Sequence, residues 1–378
     1  MRISPAEALA LYSESSIHEL GRRGHEITSR LHPESYRTYV VDRNINYANW
    51  CTAKCTFCNF KAAPPGSTRG RTGSSGGYVL SFEEIGRKIQ ELVDIGGTQI
   101  LMQGGLVPPE ILPFQWYIDL LRFIKKSFPR VHVHSFSPPE IFAFHQVFGM
   151  PIRDVLLRLQ EAGLDTIPGG GAEILVDRVR DKISRGKTRT SEYLEVMRQA
   201  HLVGMKTSIT MMFGHIETVA ERIEHLARVR ELQDETGGFT AFICWTFQPE
   251  KTPLGRLRQR PADCTDPPDG KHLVLAGAHE YLKTLAIARI MLDNLPNLQA
   301  SWVTQGPKIG QLALFFGAND MGSVMMEENV VSAAGTTYRL NEKEIRYLIA
   351  DAGWQPRKRN CYYELLDEPE SENKGHAS

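Results

Sequence analysis

The chain has 378 residues, long for a simple domain and ordinary for a β/α barrel with extensions. Apolar residues make up 42% and charged residues 23%, the balance of a globular chain rather than a disordered or membrane-embedded one. Lys+Arg and Asp+Glu both number 44, so the formal net charge is zero and offers no electrostatic hold on nucleic acid or an anionic membrane.

The first twenty residues alternate apolar and polar positions like an amphipathic helix, and residues 1–38 are expected to form a helical cap. They lack the basic stretch and unbroken apolar core of a signal peptide. No apolar run is long enough to span a bilayer, so a cytoplasmic location is expected. From there short apolar runs alternate with helical patterns. Strands are predicted at 39–47, 98–103, 131–136, 165–170, 206–214, 240–248, 298–304 and 321–326. Helices are predicted at 82–95, 115–128, 152–162, 191–203, 219–234, 276–294 and 307–316. Thr190 and Thr218 suit N-caps, and Gly163, Gly204 and Gly317 stand where helices should stop.

Repeated strand–helix units require parallel strands and crossover helices. Eight of them predict an α/β fold, a closed (β/α)8 TIM-type barrel over 39–335, with the active site at the C-terminal ends of the strands. An open doubly wound sheet is the alternative, but no GxGxxG follows the first strand. Residues 336–367 are expected to pack on the barrel as a C-terminal extension, and 368–378 to form a disordered tail. Residues 61–77 and 250–274 read as Gly- or Pro-rich loops.

Cys51, Cys55 and Cys58 form CxxxCxxC directly after the first strand, while Cys244, Cys264 and Cys361 are scattered. A disulfide framework would spread its cysteines more evenly. Three thiolates on one short loop can hold three corners of a cubane cluster, leaving a fourth iron open for catalysis. A structural zinc site would want a second pair of ligands, which the remaining cysteines do not supply. A fully ligated electron-transfer or sensor cluster would need a fourth nearby ligand, and a zinc hydrolase would distribute His and Asp ligands over several strands.

CxxxCxxC with Phe57 before its last cysteine resembles the signature of the radical S-adenosylmethionine (SAM) superfamily. Longer stretches narrow the likeness: RNINYANWC (43–51), GGTQILMQGGL (96–106), SPPEI (137–141), IPGGGAEIL (167–175), MMFGHIET (211–218) and LPNLQASWVTQGPKIGQLAL (295–314). Over roughly residues 40 to 365 the chain is similar to the cyclic dehypoxanthine futalosine synthase family of menaquinone biosynthesis. Aminofutalosine synthase and the deazaflavin-cofactor synthases share its cysteines and barrel. The resemblance implies a [4Fe-4S] cluster on Cys51, Cys55 and Cys58, S-adenosyl-L-methionine as cofactor, and dehypoxanthine futalosine as substrate. It also implies an electron donor such as flavodoxin or ferredoxin. The 5′-deoxyadenosyl radical would take a hydrogen from C4′ of the substrate ribose, and the carbon radical would close on the benzoate ring.

Four elements are expected SAM contacts, Ser137 from the place of its hydroxyl at the end of the third strand and the other three on this basis. They are the backbone at Phe57, Gly104 and Gly105 at the end of the second strand, Ser137, and Glu173 after three glycines. The family's acidic residue after the glycine pair is absent here, where Leu106 follows. Each has a plainer alternative: a packing aromatic, a tight turn, a helix cap, an acid placed for the helix dipole. Arg178 and Lys187 are further candidates for the SAM carboxylate. His215 is the candidate acid–base residue, against a structural role bonded to a loop carbonyl. His132 and His134 share one strand face, so one of them can line the barrel. Thr246, Gln248, Thr304, Gln305, Glu327, Glu328 and Asn329 are candidate substrate ligands. Arg69 and Arg71 are expected in a solvated loop.

Overall fold

A computed structural model describes residues 2–65, 76–260, 271–327, 329, 332–335 and 338–366. Helices α1 (Pro5–Glu14) and α2 (Ile17–Leu31) come first, each opened by a serine whose hydroxyl accepts an N–H of the first turn. The strands follow: β1 (Tyr36–Val40), β2 (Asp42–Asn46), β3 (Lys54–Cys55), β4 (Gln99–Gln103), β5 (His132–Ser135), β6 (Thr166–Ile167), β7 (Ser184–Arg185), β8 (Lys206–Phe213), β9 (Phe239–Thr246), β10 (Asn297–Gln299), β11 (Asp320–Ser323) and β12 (Gln355–Lys358).

Ten strands form one parallel sheet in the order β12-β1-β11-β10-β9-β8-β6-β5-β4-β2. Its two ends meet because β1 and β2 are one bent strand, broken only at Val41. The Val40 carbonyl accepts from Val324 of the β11 side, and the Val41 carbonyl accepts from Thr98 of the β4 side. The sheet thus curls into an eight-membered (β/α) ring, with β12 paired on the lower edge of β1. β3 and β7 form a separate antiparallel pair above it.

Between strands the helices fold by local rules. Helix Phe82–Asp94 starts at Ser81 in a capping box with Glu84 and buries Ile85, Ile89 and Leu92 on one face. Helix Val219–Thr236 is capped by Thr218, as expected, and ends at Gly237 in the left-handed conformation. Arg189, not Thr190, occupies the cap position of helix Thr190–Leu202. The hydrophobic core lies between the ring and these helices.

Several expectations are shortened or extended. The 165–170 strand contracts to β6 because Gly169 leaves the ladder and packs against β8, where a Cβ would stand 2.5 Å from the Ile209 Cα. The 298–304 strand ends at Gln299, and Trp302–Gln305 is helical. Helices Pro138–Phe148, Asp177–Ile183 and Glu342–Asp351 and strand β12 are additional. Residues 66–75, which carry Arg69 and Arg71, lie outside the described residues. So do Cys264, Glu328 and the tail from 367.

Candidate active site

One cavity of about 390 Å³ occupies the ring interior and opens at the C-terminal ends of the strands. TIM barrels usually fill this space with bulky branched side chains. Here the inward positions of β2 are Asp42, Asn44 and Asn46, those of β4 include Gln99 and Gln103, and those of β5 and β8 include His134, Ser208 and Thr210. Polar interior positions leave a lined chamber instead of a packed core.

The three cysteines stand at the mouth, and all line the cavity. Local hydrogen bonds shape their loop. Cys51 N–H donates to the Ala62 carbonyl, and Leu106 N–H donates to Cys51 Sγ at 3.2 Å. Lys61 Nζ donates to the Cys55 carbonyl at 2.7 Å. Cys55 pairs with Ser184 across β3–β7, so the same pairing that fixes the cysteine loop also delivers Lys187 to it. Gly105 permits the close approach of the loop, since a Cβ there would lie 2.1 Å from the Trp50 carbonyl oxygen. Burial pushes the Cys51 thiol up and the Cys55 thiol up to about 12, so bare thiolates are costly here. Binding iron relieves that cost. Among the described residues no three His, Cys, Asp or Glu side chains converge on a single metal ion. A cubane makes a different demand, one thiolate for each corner iron.

Around the mouth the other expected residues assemble. Phe57, Gly104, Gly105, Ser137 and Glu173 all line the cavity. Gly104 would clash with the Tyr47 ring if it carried a Cβ, and its N–H donates to Glu140 at 3.0 Å. Glu140, fully buried, also accepts from Tyr47 Oη at 2.6 Å and from the Ser137 N–H and hydroxyl at 2.8 and 2.6 Å. Burial raises its pKa against these donors. The Ser137 hydroxyl is therefore a helix-cap donor with lone pairs still available to a ligand.

Glu173 is 4% exposed and sits at φ +42°, a left-handed conformation unusual for a non-glycine residue. Lys187 Nζ donates to its Oε1 at 3.0 Å, while Oε2 accepts no hydrogen bond and stays 3.6 Å from Arg180. Burial alone would lower the Lys187 pKa, but Glu173 and the cysteine sulfurs raise it overall. Its ammonium also lies 5.3 Å from the Phe57 ring. A buried carboxylate oxygen without a donor, next to three thiols and a cation, fits an adenosyl-bearing amino acid held against a cluster.

His215 is not brought into this cavity. Its ring is fully buried, with Nε2 3.1 Å from the Met212 carbonyl and Nδ1 accepting from Ile216 at 2.8 Å and lying 2.9 Å from Glu217. The β8 chain turns outward at Gly214 (φ +85°), and that turn carries the ring away from the interior. Arg178 is likewise engaged elsewhere, bidentate with Glu221. Thr304 lines the cavity, and Gln305 donates to the Thr246 hydroxyl. Glu327 is taken by Lys88 and Arg43. Sequence reasoning missed Glu140, Asn44, Gln99 and Arg359. Asp42, Asn44 and Asn46 stand two apart on one strand face, and that shared face is the signal that points inward for Asn44.

Comparison with known proteins agrees with this geometry. Residues 45–229 match the radical SAM superfamily, and residues 236–372 match the CofH/MqnC C-terminal region. The chain is 45% identical over 365 residues to cyclic dehypoxanthine futalosine synthase of Halalkalibacterium halodurans, covering 97% of this chain and 92% of that one. It is 40% identical to the protein of the same name from Streptomyces coelicolor, over 97% of this chain and 86% of that one. It is also 40% identical to a 5-amino-6-(D-ribitylamino)uracil–L-tyrosine 4-hydroxyphenyl transferase of Methanosarcina barkeri, over 89% of this chain and 84% of that one. Methylornithine synthase shares the fold, with TM-score 0.67, 18% identity and 94% of each chain covered. The chain belongs to the radical SAM superfamily and, within it, to the family of the cyclic dehypoxanthine futalosine synthases.

Proposed function

We propose that this enzyme converts dehypoxanthine futalosine to cyclic dehypoxanthine futalosine in menaquinone biosynthesis. The observation that carries the choice is the 45% identity over nearly the whole chain to a protein of that name, against 40% over 89% for the transferase. When bound, the cluster and SAM supply a 5′-deoxyadenosyl radical and a sink for one electron. In this reading Cys51, Cys55 and Cys58 bind the cluster, and the cavity mouth orients SAM through the Phe57 backbone, Gly104, Gly105, Ser137 and Glu173. Glu173 Oε2, lacking a donor, takes ligand hydroxyls, and Lys187 offers a cation to a carboxylate.

The substrate ribose loses hydrogen from C4′, its carbon closes on the benzoate ring, and the closed ring sheds one electron and one proton. The ring interior offers neutral hydrogen-bonding side chains to a polyhydroxylated substrate. Asn44 Oδ1 and Gln99 Oε1 are buried acceptors without a donor, and both residues line the cavity. A flavodoxin or ferredoxin as electron donor and a cytoplasmic location go with this reading. Offering the anaerobic enzyme dehypoxanthine futalosine and, separately, the transferase substrates tests it. Product two hydrogens lighter than dehypoxanthine futalosine, and none from the others, is expected. Transfer to the ribitylaminouracil would replace the proposal.

A further inference from the structure

This inference rests on the cyclase reading, which requires one proton to leave the closed ring. His132 and His134 occupy alternate positions of β5, and their rings converge on one hydroxyl. His132 Nε2 and His134 Nδ1 each stand 2.7 Å from Thr166 Oγ1. A threonine hydroxyl has one proton to donate and two lone pairs, so it donates to one ring and accepts from the other.

The surroundings allow a single direction through all three groups. Ser208 Oγ accepts the Gly169 N–H at 3.0 Å and lies 3.4 Å from His134 Nε2, so its own proton is available to that nitrogen. With Ser208 as the donor, Nε2 is bare, the His134 proton sits on Nδ1, and Nδ1–H donates to Thr166. Thr166 in turn donates to His132 Nε2. The buried Cys361 thiol, pushed up to about 12 by burial, also reaches Thr166. His134 and Ser208 line the cavity. His132 is only half-buried, edge-on to exposed Tyr362 at 5.1 Å and near the Lys125–Asp165 pair at the surface. The donors thus run in one sense from the cavity to the outside of the barrel.

We propose that His134, not His215, accepts the proton released on cyclisation, and that Thr166 and His132 pass it out of the barrel. The proton moves from the substrate ring carbon to His134 Nε2, while Nδ1–H passes to Thr166, the Thr166 proton to His132 Nε2, and the His132 Nδ1 proton to solvent. The electron leaves separately into the sink that the cofactors supply. Burial pushes His134 down to about 3 and His132 to about 4, so neither keeps a charge at neutral pH and the transfer is concerted. Arg359 and His132 face His134, and Asp165, Lys125 and Tyr362 face His132.

The test compares wild type, Thr166→Val and Thr166→Ser as reconstituted full-length enzyme. The readout is cyclised product per 5′-deoxyadenosine, in light and heavy water. Valine keeps the shape and removes the relay. The expected result is a fall in that ratio of about tenfold or more in Thr166→Val, with loss of the wild-type solvent isotope effect. Thr166→Ser should restore both. Product at the wild-type ratio from Thr166→Val overturns the relay alone. No cyclised product from wild type overturns the cyclase reading and the relay with it.

Discussion

Gly105 packs against the cysteine loop at the mouth of the cavity, and Glu173 lines that mouth. Gly105 has no room for a methyl group: its Cβ would sit 2.1 Å from the Trp50 carbonyl and 2.8 Å from the Cys51 Cβ. Gly105→Ala must displace the backbone that carries the first thiol. The expected result is a loss of at least ~2 kcal/mol in urea unfolding and a lower iron content after reconstitution. Unchanged iron content would mean that the cysteine loop tolerates the shift. Glu173 presents one carboxylate oxygen to Lys187 and leaves the other without a donor. Glu173→Gln keeps the shape, removes the charge and leaves the Lys187 ammonium buried without its anion. SAM affinity of the cluster-loaded protein, measured anaerobically, is expected to fall about tenfold, the scale of one charge-assisted hydrogen bond. Equal affinity would assign Glu173 to holding Lys187 alone.

At the scale of elements, the C-terminal segment closes the lower end of the ring. Arg359, just after β12, is 4% exposed and reaches Asp320 of β11 through two hydrogen bonds of 2.6 and 2.9 Å. Asp320 also accepts from the Thr38 hydroxyl and the Gly322 N–H. Removing one partner of a buried pair costs about 3–5 kcal/mol because the other charge stays buried. Asp320→Asn should therefore lower the unfolding free energy measured in urea by that scale, and a change within error would show that Arg359 escapes to water. This closure was not legible in the sequence. β12 reads QPRK, polar and proline-bearing, and it is a strand only because it takes the vacant lower edge of β1. Helix Pro138–Phe148 was hidden for the opposite reason: its PPEIFAFHQVF is apolar on nearly every side and shows no amphipathic period. The eight ring strands were legible because short runs carrying apolar residues alternate along the chain with helical patterns. Of the cavity lining, the three thiols, the glycine pair and Glu173 were legible, since spacing and loop chemistry mark them. His215 misled because a His at a strand end looks inward until the Gly214 turn sends it out. Glu140 was unreadable because only the fold brings its helix to Gly104.

Across the whole molecule, four histidines with depressed pKa bear on the acid limit. Burial lowers His132 and His201 to about 4, and His134 and His225 to about 3. The unfolded chain holds these protons more tightly, with an ordinary pKa near ~6.5. Their contribution is complete above that pH and is lost as pH falls toward the folded values. Asp42 and Glu140, raised by burial, oppose this in part, because they take up protons earlier when folded. Between about pH 7.5 and about pH 5.5 each histidine costs roughly 1 kcal/mol of stability, so His201→Gln, compared with wild type by urea unfolding, should remove about that much of the pH dependence. An unchanged pH dependence in His201→Gln would contradict the burial of this ring. The same architecture, a polar chamber beneath three thiols, underlies the assigned chemistry. The most direct measurement of that assignment is anaerobic turnover of wild type and Cys55→Ala with SAM and dehypoxanthine futalosine, read by mass spectrometry. Cyclised product with 5′-deoxyadenosine from wild type, and neither from Cys55→Ala, is the result expected. Wild-type protein that carries an intact cluster yet leaves SAM uncleaved would contradict it.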